Sequence, residues 1–406
     1  MSSFPPLPSF GALAGLKVLD LSRVLGGPYC GQILADHGAE VIKVEPPAGD
    51  ETRSWGPPFA ADGTAAYFNG LNRNKRDIVI DLSQPAGREI VLKILEDCDV
   101  LIENFKIGTL ERWGMGYEQL LRERFPRLIH CRVSGFGADG PLGGAPGYDA
   151  VAQALGGLMS VNGTPETGPL RVGVPVVDMT TGLSAVIGVL LAVIERQRSG
   201  RGQFVEATLY DSTVALLHPQ SANWLESGKT PQLSGNAHSN IVPYDKFPTR
   251  TCEVFLGIGN NGQWKKLCEF LGHPELAEDP RFVTNAERFR HRPQLRTLLE
   301  GHLQQVDGEE LCRNLLAAGI PAGAVRPIPQ VLTDAHTLHR KMVVEVEGKR
   351  AIGIPIKLSR TPGQALSAPP RFGQHTRALL AEYGFDAAAI DALLAQGTVM
   401  DGSPAA

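Results

Sequence analysis

Short apolar runs alternate along the chain with stretches in which apolar residues recur every three or four positions. Residues 16–45, LKVLDLSRVLGGPYCGQILADHGAEVIKVE, contain one apolar run, a glycine-rich turn, an amphipathic stretch and a second run that ends at Glu45. This order predicts a strand, a helix and a parallel second strand. The pattern returns in residues 76–105 and again at RLIHCRVSGFG, residues 127–137. Strands that alternate with helices predict an α/β fold with a doubly wound parallel sheet.

The second half of the chain has a different pattern. Between residues 213 and 250 proline, serine, asparagine and glycine are frequent and no long periodic run occurs, which is typical of a linker. Residues 251–325 then predict a smaller α+β domain, with a strand at CEVFLGIG and helices at QWKKLCEFLG and RPQLRTLLEGHLQQV. We therefore expect a large domain formed by residues 1–212 together with 326–406, the latter containing a return linker and the C-terminal part.

The most apolar segment, from Met179 to Ile194, predicts a buried helix. It is shorter than the ~20 residues that span a bilayer, and ERQR follows it. The first residues, MSSFPPLPSF, lack the basic start and the apolar run of a signal peptide. The six cysteines are scattered without metal-ligand spacing. We therefore expect a cytoplasmic protein with reduced thiols, no bound metal and no membrane partner.

Charge and motifs exclude several classes of protein. Lys and Arg number 39 against 43 Asp and Glu, a net charge of −4, and no basic stripe is present to bind nucleic acid. Neither a GxSxG nor an HExxH motif occurs, which argues against a serine hydrolase and a zinc protease. The turn LGGPYCG is similar to a dinucleotide fingerprint, but Pro28 stands where that fingerprint needs a glycine. A nicotinamide dehydrogenase is therefore a poor alternative.

Polar side chains follow two of the predicted strands. NRNKRD, residues 72–77, adjoins one strand, and Asn104, Lys106 and Arg112 lie beyond the strand DVLIENF. Ligands of open α/β sheets bind at the carboxyl ends of the strands, where these side chains would suit a ligand that carries a polyphosphate. The alternative is that they are solvated loop residues.

One carboxylate, Asp178, stands in the apolar segment VGVPVVDMTTGLSAV, where a helix is predicted to begin. Burying a carboxylate is costly unless hydrogen bonds compensate it, and the start of a helix offers backbone N–H donors. Asp178 can therefore be the residue that caps the helix. A poorly hydrated carboxylate can also be a covalent nucleophile, and the residues alone leave both hypotheses open.

Together these segments resemble the class III CoA-transferase family, which includes formyl-CoA transferase and carnitine CoA-transferase. The resemblance extends over nearly the whole chain and is carried by residues 16–45 and by GDETR, NRNKRDIVIDL, DVLIENF, PGYDAVAQALGGLMSVNG, VVDMTTG, SGRGQFVEATLYDS and APPRFGQHT. It implies a Rossmann-like large domain, a smaller domain and an interlocked homodimer. It also implies acyl-CoA and a small carboxylic acid as substrates, with no permanently bound cofactor.

The resemblance assigns Asp178 as the catalytic residue. Its carboxylate would attack an acyl-CoA thioester to form a mixed anhydride. The returning CoA thiolate would then give an aspartyl-CoA thioester, which the acceptor acid captures. The positions that correspond to the family's CoA contacts are Val24, Leu25, Ile80, Asp81, Leu82, Ser83, Asn104, Phe105, Lys106, Arg112 and Tyr148.

Three positions narrow the expected reaction within the family. Leu25 and Pro46 replace a glutamine and an arginine of the formyl-CoA enzyme, and that enzyme's glycine-rich flap is absent, which argues against oxalate and formyl-CoA. Tyr148 stands where the related α-methylacyl-CoA racemases have histidine, and a tyrosine with a pKa of about 10 exchanges protons poorly near neutrality. Transfer is therefore favoured over racemisation, and a non-catalytic CoA-binding protein is the other alternative.

Two further segments, GNAHSNIVPYDKF and PLRVGVPVVD, resemble the branch of the family that moves CoA between succinyl-CoA and glutarate-like acids. We therefore expect succinyl-CoA as the donor and a dicarboxylate as the acceptor. The distal carboxylate of the acceptor needs a partner in a closed site. Arg171 is a candidate because its guanidinium can bind a carboxylate through two parallel bonds, and His238 because its ring can donate a hydrogen bond. The alternative places Arg171 on the surface and makes His238 a linker contact.

Overall fold

The computed structural model describes residues 10–402. In chain order, the strands in this range are β1 Lys17–Asp20, β2 Glu40–Glu45, β3 Lys75–Ile80, β4 Val100–Glu103, β5 Ile129–Ser134, β6 Gly163–Thr164, β7 Gly168–Pro169, β8 Phe204–Thr208, β9 Tyr244–Pro248, β10 Glu253–Gly257, β11 Ala322–Ala324, β12 Val343–Val346, β13 Lys349–Ile352 and β14 Val399–Met400. The α-helices are α1 Gly26–Asp36, α2 Ala66–Asn69, α3 Pro85–Leu95, α4 Thr109–Arg112, α5 Arg122–Arg124, α6 Asp149–Leu155, α7 Val176–Ser199, α8 Leu209–Ala215, α9 Gln220–Ser227, α10 Asn261–Phe270, α11 Asn285–Arg290, α12 Arg292–Leu303, α13 Gly308–Ala317, α14 Ile328–Thr333, α15 Ala335–His339, α16 Thr376–Glu382 and α17 Ala387–Ala395. Short 3₁₀ or π turns span Glu51–Ser54, Tyr117–Leu121, Leu158–Val161 and Pro274–Ala277.

Seven strands of the described chain form one sheet in the order β14-β3-β2-β1-β4-β5-β8. Neighbouring strands are parallel, except that β14 runs antiparallel to β3. The chain builds the sheet outward from β1, first through β2 and β3 and then, on the other side, through β4 and β5. The predicted α/β fold with a parallel-dominated sheet is confirmed. The strands are thus added first on one side of β1 and then on the other, so the strand order reverses between β1 and β4. Ligand sites form at such reversal points of a parallel sheet.

Helices cover both faces of this sheet. Along β1 successive side chains point to opposite faces, so Val18 packs into one hydrophobic core and Leu19 into the other. The core that contains Val18 includes residues of α1 and α7, whereas the core that contains Leu19 includes residues of α3, α16 and α17. This two-sided burial explains why the strands are nearly continuous apolar runs in the sequence.

The chain divides into two compact units. In the described range the large unit comprises residues 10–156, 173–216 and 335–402, and the small unit comprises Gly157–Val172 and Leu217–Asp334. The small unit contains an antiparallel sheet of β9, β10 and β11, and its helices enclose a core that includes Trp264 and Phe282. Residues 213–250, for which we predict a linker, contain α9 and β9.

The apolar segment predicted as a buried helix forms α7, which buries one face only. This helix has 24 residues and is long and apolar enough to cross a membrane by length and composition, with 39% of its most apolar window buried. One face packs against α1, β5 and β8. The opposite face exposes a stripe of apolar side chains at helical spacing, Leu183, Ile187, Leu191 and Ile194. The prediction of a buried helix is therefore wrong for this face, the α7 stripe.

Candidate functional site

A cavity of about 170 Å³ lies in the large unit at the carboxyl ends of β1, β4 and β5. It therefore occupies the reversal point of the sheet, where a ligand site is expected. Residues of several separate segments line it: Arg23, Val24, Leu25, Gly26, Glu51, Asn104, Val133, Ser134, Gly135, Gly147, Tyr148, Asp178 and Leu209. A larger cleft of about 750 Å³ in the same unit shares Glu51 with this cavity but contains none of the predicted site residues.

The amino end of α1 lies directly against Asp178. A Cβ atom on Gly26 would lie 3.7 Å from Asp178 Oδ1 and 3.3 Å from Val133 Cγ1, so a side chain at this position would press on Val133 and contact the Asp178 carboxyl. The capping position of α1, Leu25, makes no side-chain hydrogen bond. Pro28 has no N–H and the Tyr29 N–H bonds to the Leu25 carbonyl at 2.7 Å, so the N–H groups of Gly26 and Gly27 are the ones available to a ligand beside Asp178.

Two glycines bring Tyr148 to the end of β5. A Cβ atom on Gly135 would lie 2.9 Å from the Cα of Gly147, and one on Gly147 would lie 2.7 Å from the Cα of Gly135. Any side chain at either position would collide with backbone. The crossing places Tyr148, which is 58% exposed, on the cavity wall with Asp178.

Asp178 is the third residue of α7, and burial raises the pKa of its carboxyl to about 7, with the nearby charge of Asp149 as the second cause. The capping position of the helix is Pro175. The N–H groups of Val177 and Asp178 donate instead to Asp149 Oδ2, at 2.8 and 3.1 Å. The hypothesis that Asp178 caps the helix is therefore wrong, because Asp149 supplies the capping carboxylate.

Tyr67 is a further neighbour of Asp178 that the sequence analysis did not identify. Burial and the charge of Asp178 raise the pKa of the Tyr67 phenol to about 12, with Asp149 and Asp50 adding to the effect. Its ring packs edge to face against Trp55, with 5.2 Å between the ring centroids. A phenol with this pKa stays protonated near neutrality and can donate a hydrogen bond.

The loop between β1 and α1 is held in an unusual conformation. Val24 has a φ of 70°, which is a strained backbone for a β-branched residue. On one side of it, the Arg23 N–H donates to Asn104 Oδ1 at 2.9 Å, and Asn104 Nδ2 donates to the Arg23 carbonyl at 2.6 Å. On the other side the Val24 N–H donates to Asp50 Oδ1 at 3.4 Å, and Asp50 forms a fully buried ion pair with Lys43 at 2.9 Å.

The structure brings together five of the predicted site residues, which all line the cavity: Val24, Leu25, Asn104, Tyr148 and Asp178. Other predicted CoA contacts lie outside it. Ile80, Asp81, Leu82 and Ser83 form the end of β3 and the turn after it, where the Ser83 N–H donates to Asp81 Oδ1 at 2.9 Å. Phe105 and Lys106 follow β4, and the exposed Arg112 guanidinium donates to Thr109 Oγ1 at 2.9 Å.

The two predicted substrate-binding residues belong to the small unit. Arg171 is exposed, and its Nη1 donates to the Val172 carbonyl at 3.2 Å. His238 is half-buried, and its Nδ1 accepts from the Asn240 N–H at 3.0 Å. Their role in binding an acceptor stays a prediction.

Sequence reasoning missed Arg23, Glu51 and Asp149. Asp149 directly follows Tyr148 in PGYDAV, and Arg23 directly precedes Val24, so adjacency to predicted contacts was the available signal. Within residues 10–402, no cluster of three or more His, Cys, Asp or Glu side chains has the arrangement of a metal site.

Comparison with known proteins places this site in a family. A sequence model of CoA-transferase family III matches residues 13–376. The chain is 40% identical to the succinate–glutarate CoA-transferase of Agrobacterium fabrum over 381 residues, which cover 91% of this chain and 95% of that protein. It is 38% identical to the succinyl-CoA:glutarate CoA-transferase of Mus musculus over 399 residues, covering 96% of this chain and 91% of that protein.

A solved structure gives the same result. A CAIB/BAIF family protein from Brucella suis superimposes with a TM-score of 0.83 at 41% identity, covering 92% of this chain and 100% of that one. The resemblance that the sequence motifs predict is thus confirmed over most of the chain. This protein belongs to CoA-transferase family III and is an enzyme of that class.

Proposed function

We propose that this enzyme moves CoA from succinyl-CoA to a dicarboxylic acid such as glutarate, by covalent catalysis at Asp178. One observation carries the proposal: a half-buried carboxyl with a pKa of about 7 lines a cavity at the reversal point of the sheet, against the amino end of a helix. The names of the Agrobacterium fabrum and Mus musculus relatives, which refer to succinate or succinyl-CoA and glutarate, support the choice of substrates.

The reaction proceeds in two covalent halves. The ionised Asp178 carboxylate attacks the thioester carbon of succinyl-CoA and expels the CoA thiolate, which leaves a mixed anhydride. The thiolate then attacks the Asp178 carbonyl carbon, releases succinate and leaves an aspartyl-CoA thioester. The acceptor carboxylate attacks this thioester, and the thiolate returns to the acyl carbon of the new anhydride. Asp178 is regenerated, and no net proton is gained or lost.

The environment of Asp178 suits this chemistry. Poor hydration leaves the ionised carboxylate reactive, because little water must be displaced before attack. Each tetrahedral intermediate carries an oxyanion, and the unpaired N–H groups at the start of α1 lie where they can stabilise it. The Tyr148 hydroxyl on the cavity wall adds a further donor.

The remaining CoA contacts are proposed by position. Ile80–Ser83 form the end of β3 and the turn after it, and Asn104–Lys106 follow β4. These are parallel strands of one sheet, separated by β2 and β1, so both segments lie at the edge formed by the carboxyl ends of the strands, as the cavity does. This edge is where ligands of such sheets bind, which supports their assignment to CoA. Arg112 belongs to α4, directly after this second segment.

We further propose that the enzyme is a homodimer. The α7 stripe exposes Ile187 at 58% and Leu191 at 62%, and contiguous exposed apolar surface of this kind is typical of protein interfaces. Pairing of two copies through this face would bury it.

The decisive experiment replaces the nucleophile with its near-isosteric amide. Asp178→Asn should abolish CoA transfer while CoA still binds in calorimetric titration, because an amide cannot attack the thioester. Wild-type enzyme incubated with succinyl-CoA alone should carry a hydroxylamine-sensitive mass adduct on the peptide that contains Asp178. The matched control is Asp211→Asn, because Asp211 is the third residue of α8 as Asp178 is of α7.

The control should keep both the adduct and the transfer. Retention of a tenth or more of wild-type turnover by Asp178→Asn would refute the covalent role. Deuterium exchange at the α-carbon of a 2-methylacyl-CoA, at rates that match or exceed transfer, would favour the racemase instead.

A further inference from the structure

One residue that lines the cavity around Asp178 is cationic in the described part of the chain, and it is Arg23. The two other charged side chains on the wall, Glu51 and Asp178, are carboxylates. A negatively charged group of a substrate that enters this cavity has one cationic partner there.

The fold fixes where the Arg23 side chain starts. Both backbone polar groups of Arg23 bond to the Asn104 side chain, and the next residue, Val24, has the left-handed conformation described above. Asn104 follows β4 directly. The base of the side chain is thus anchored beside two neighbouring strands, whereas the side chain as a whole is 39% exposed, so its guanidinium can adjust to a ligand.

The Arg23 guanidinium is only partly satisfied. It contacts Glu51 through a single pair of atoms, Nη1 and Oε2, 3.0 Å apart, and no further acceptor among residues 10–402 contacts its Nε or Nη2. Arg53 in the same unit shows the contrast, because it binds both oxygens of Glu45 through Nε at 2.9 Å and Nη2 at 2.6 Å. A guanidinium with unused donors can accept a second carboxylate.

We propose that Arg23 binds the distal carboxylate of the acceptor and so selects dicarboxylates. The inference rests on the proposed CoA transfer at Asp178, because one carboxylate of the acceptor must react there while the other is neutralised. Glu51 occupies the guanidinium when no acceptor is bound and competes with the acceptor for it. A monocarboxylate has no group for this position.

The test compares glutarate with butyrate as acceptors, using the same donor and measuring kcat/KM for each. Arg23→Gln should lower the glutarate-to-butyrate ratio of kcat/KM by at least about tenfold, the effect of losing about 1.4 kcal/mol of binding. Glu51→Gln should raise that ratio, because it removes the competing carboxylate. The opposite directions separate recognition from mere loss of structure. Arg377→Gln, an exposed arginine paired with Asp391 in the same unit, is the matched control and should leave the ratio unchanged.

Three results would overturn the proposal. If Arg23→Gln lowers kcat/KM equally with glutarate and with butyrate and also weakens CoA binding in titration, Arg23 binds a CoA phosphate instead. If Arg171→Ala loses the preference for glutarate over butyrate and Arg23→Gln keeps it, the distal carboxylate binds to Arg171 instead. Wild-type transfer to both acids with no preference would remove the need for a distal site. Absence of transfer and of any adduct in the wild-type enzyme would instead refute the proposed function itself.

Discussion

The carboxylate of Asp149 accepts a hydrogen bond from the backbone N–H of Asp178 at 3.1 Å, and its charge raises the pKa of the Asp178 carboxyl. Its Oδ1 accepts a bond from Gln153 Nε2 at 2.6 Å, which fixes its orientation. One side chain therefore both positions the backbone of the proposed nucleophile and influences its protonation.

Replacing Asp149 with asparagine should move the pH dependence of catalysis. With the charge gone, the pKa of the Asp178 carboxyl falls from about 7. The carboxylate is then ionised at lower pH, so the acid limb of the kcat/KM profile should shift to lower pH. Loss of the charged cap should also lower the free energy of unfolding by about 1 kcal/mol. Profiles measured from pH 5 to 9 would check this, and an unmoved acid limb with ordinary folding would contradict it. Asp211→Asn is again the control.

Asp178→Asn should stabilise the folded protein at alkaline pH. Because the pKa is about 7 in the folded protein and lower in the unfolded chain, the folded state binds the proton more tightly. Wild-type stability from this group is full below the unfolded pKa and is lost as pH rises through about 7. The Asp178→Asn variant has no such loss. Its free energy of unfolding at pH 8 should therefore exceed that of the wild type by on the order of 1 to 4 kcal/mol, a difference that partial exposure of the side chain reduces. Denaturant unfolding at pH 5 and pH 8 would measure it. An advantage that does not grow with pH would count against a buried, proton-binding Asp178.

Val24→Gly should separate stability from activity. Glycine adopts a φ of 70° without strain, so the free energy of unfolding should stay equal or rise. Transfer should slow several-fold, because the loop beside Asp178 loses the stiffness of valine. Val343→Gly in β12, a half-buried valine, is the comparison and should lose about 1 kcal/mol without slowing transfer. Thermal unfolding and initial rates would test this, and a large loss of stability in Val24→Gly would show that the backbone there is not strained.

Charges on the α7 stripe should weaken the proposed dimer. Ile187→Glu combined with Leu191→Lys places two charges in the apolar surface, where burial would be costly. Sedimentation should then show the 43.6 kDa chain as a monomer at concentrations at which the wild type is a dimer. Ile328→Glu alters an isoleucine that is 73% exposed in the small unit and should leave the dimer intact. A wild-type protein that sediments as a monomer at nanomolar concentration would contradict the pairing.

The sheet was predictable because its strands are short apolar runs separated by helical periodicity, which is a local signal. The antiparallel edge strand β14 was not, because Val399–Met400 is too short to show a pattern. The exposed face of α7 was missed for a different reason. A helix that is apolar on all sides predicts burial, and the sequence does not say whether neighbours come from the same chain.

In the site, too, the features that adjacent residues determine were predictable, and those that depend on contacts between separate segments were not. The segment and the family motifs identify Asp178, but the residues alone leave a capping role open for it, because an aspartate near a helix start often caps that helix. The true capping carboxylate, Asp149, comes from a different helix, α6. Neither the glycine crossing of Gly135 and Gly147 nor the pairing of Arg23 with Glu51 has a signal in adjacent residues, because both depend on contacts between separate segments.

The hydrogen bonds from α7 to Asp149 also bear on how this enzyme can diversify. The chain leaves the large unit after Gly156 and returns to it at Gly173, so the excursion into the small unit lies between Asp149 and Asp178. The hydrogen bonds to Asp149 therefore hold together the points where the chain leaves the large unit and where it re-enters it. Asp149 and Asp178 both lie outside residues 157–172, so a change in the length or sequence of that segment would leave in place the groups that hold the start of α7.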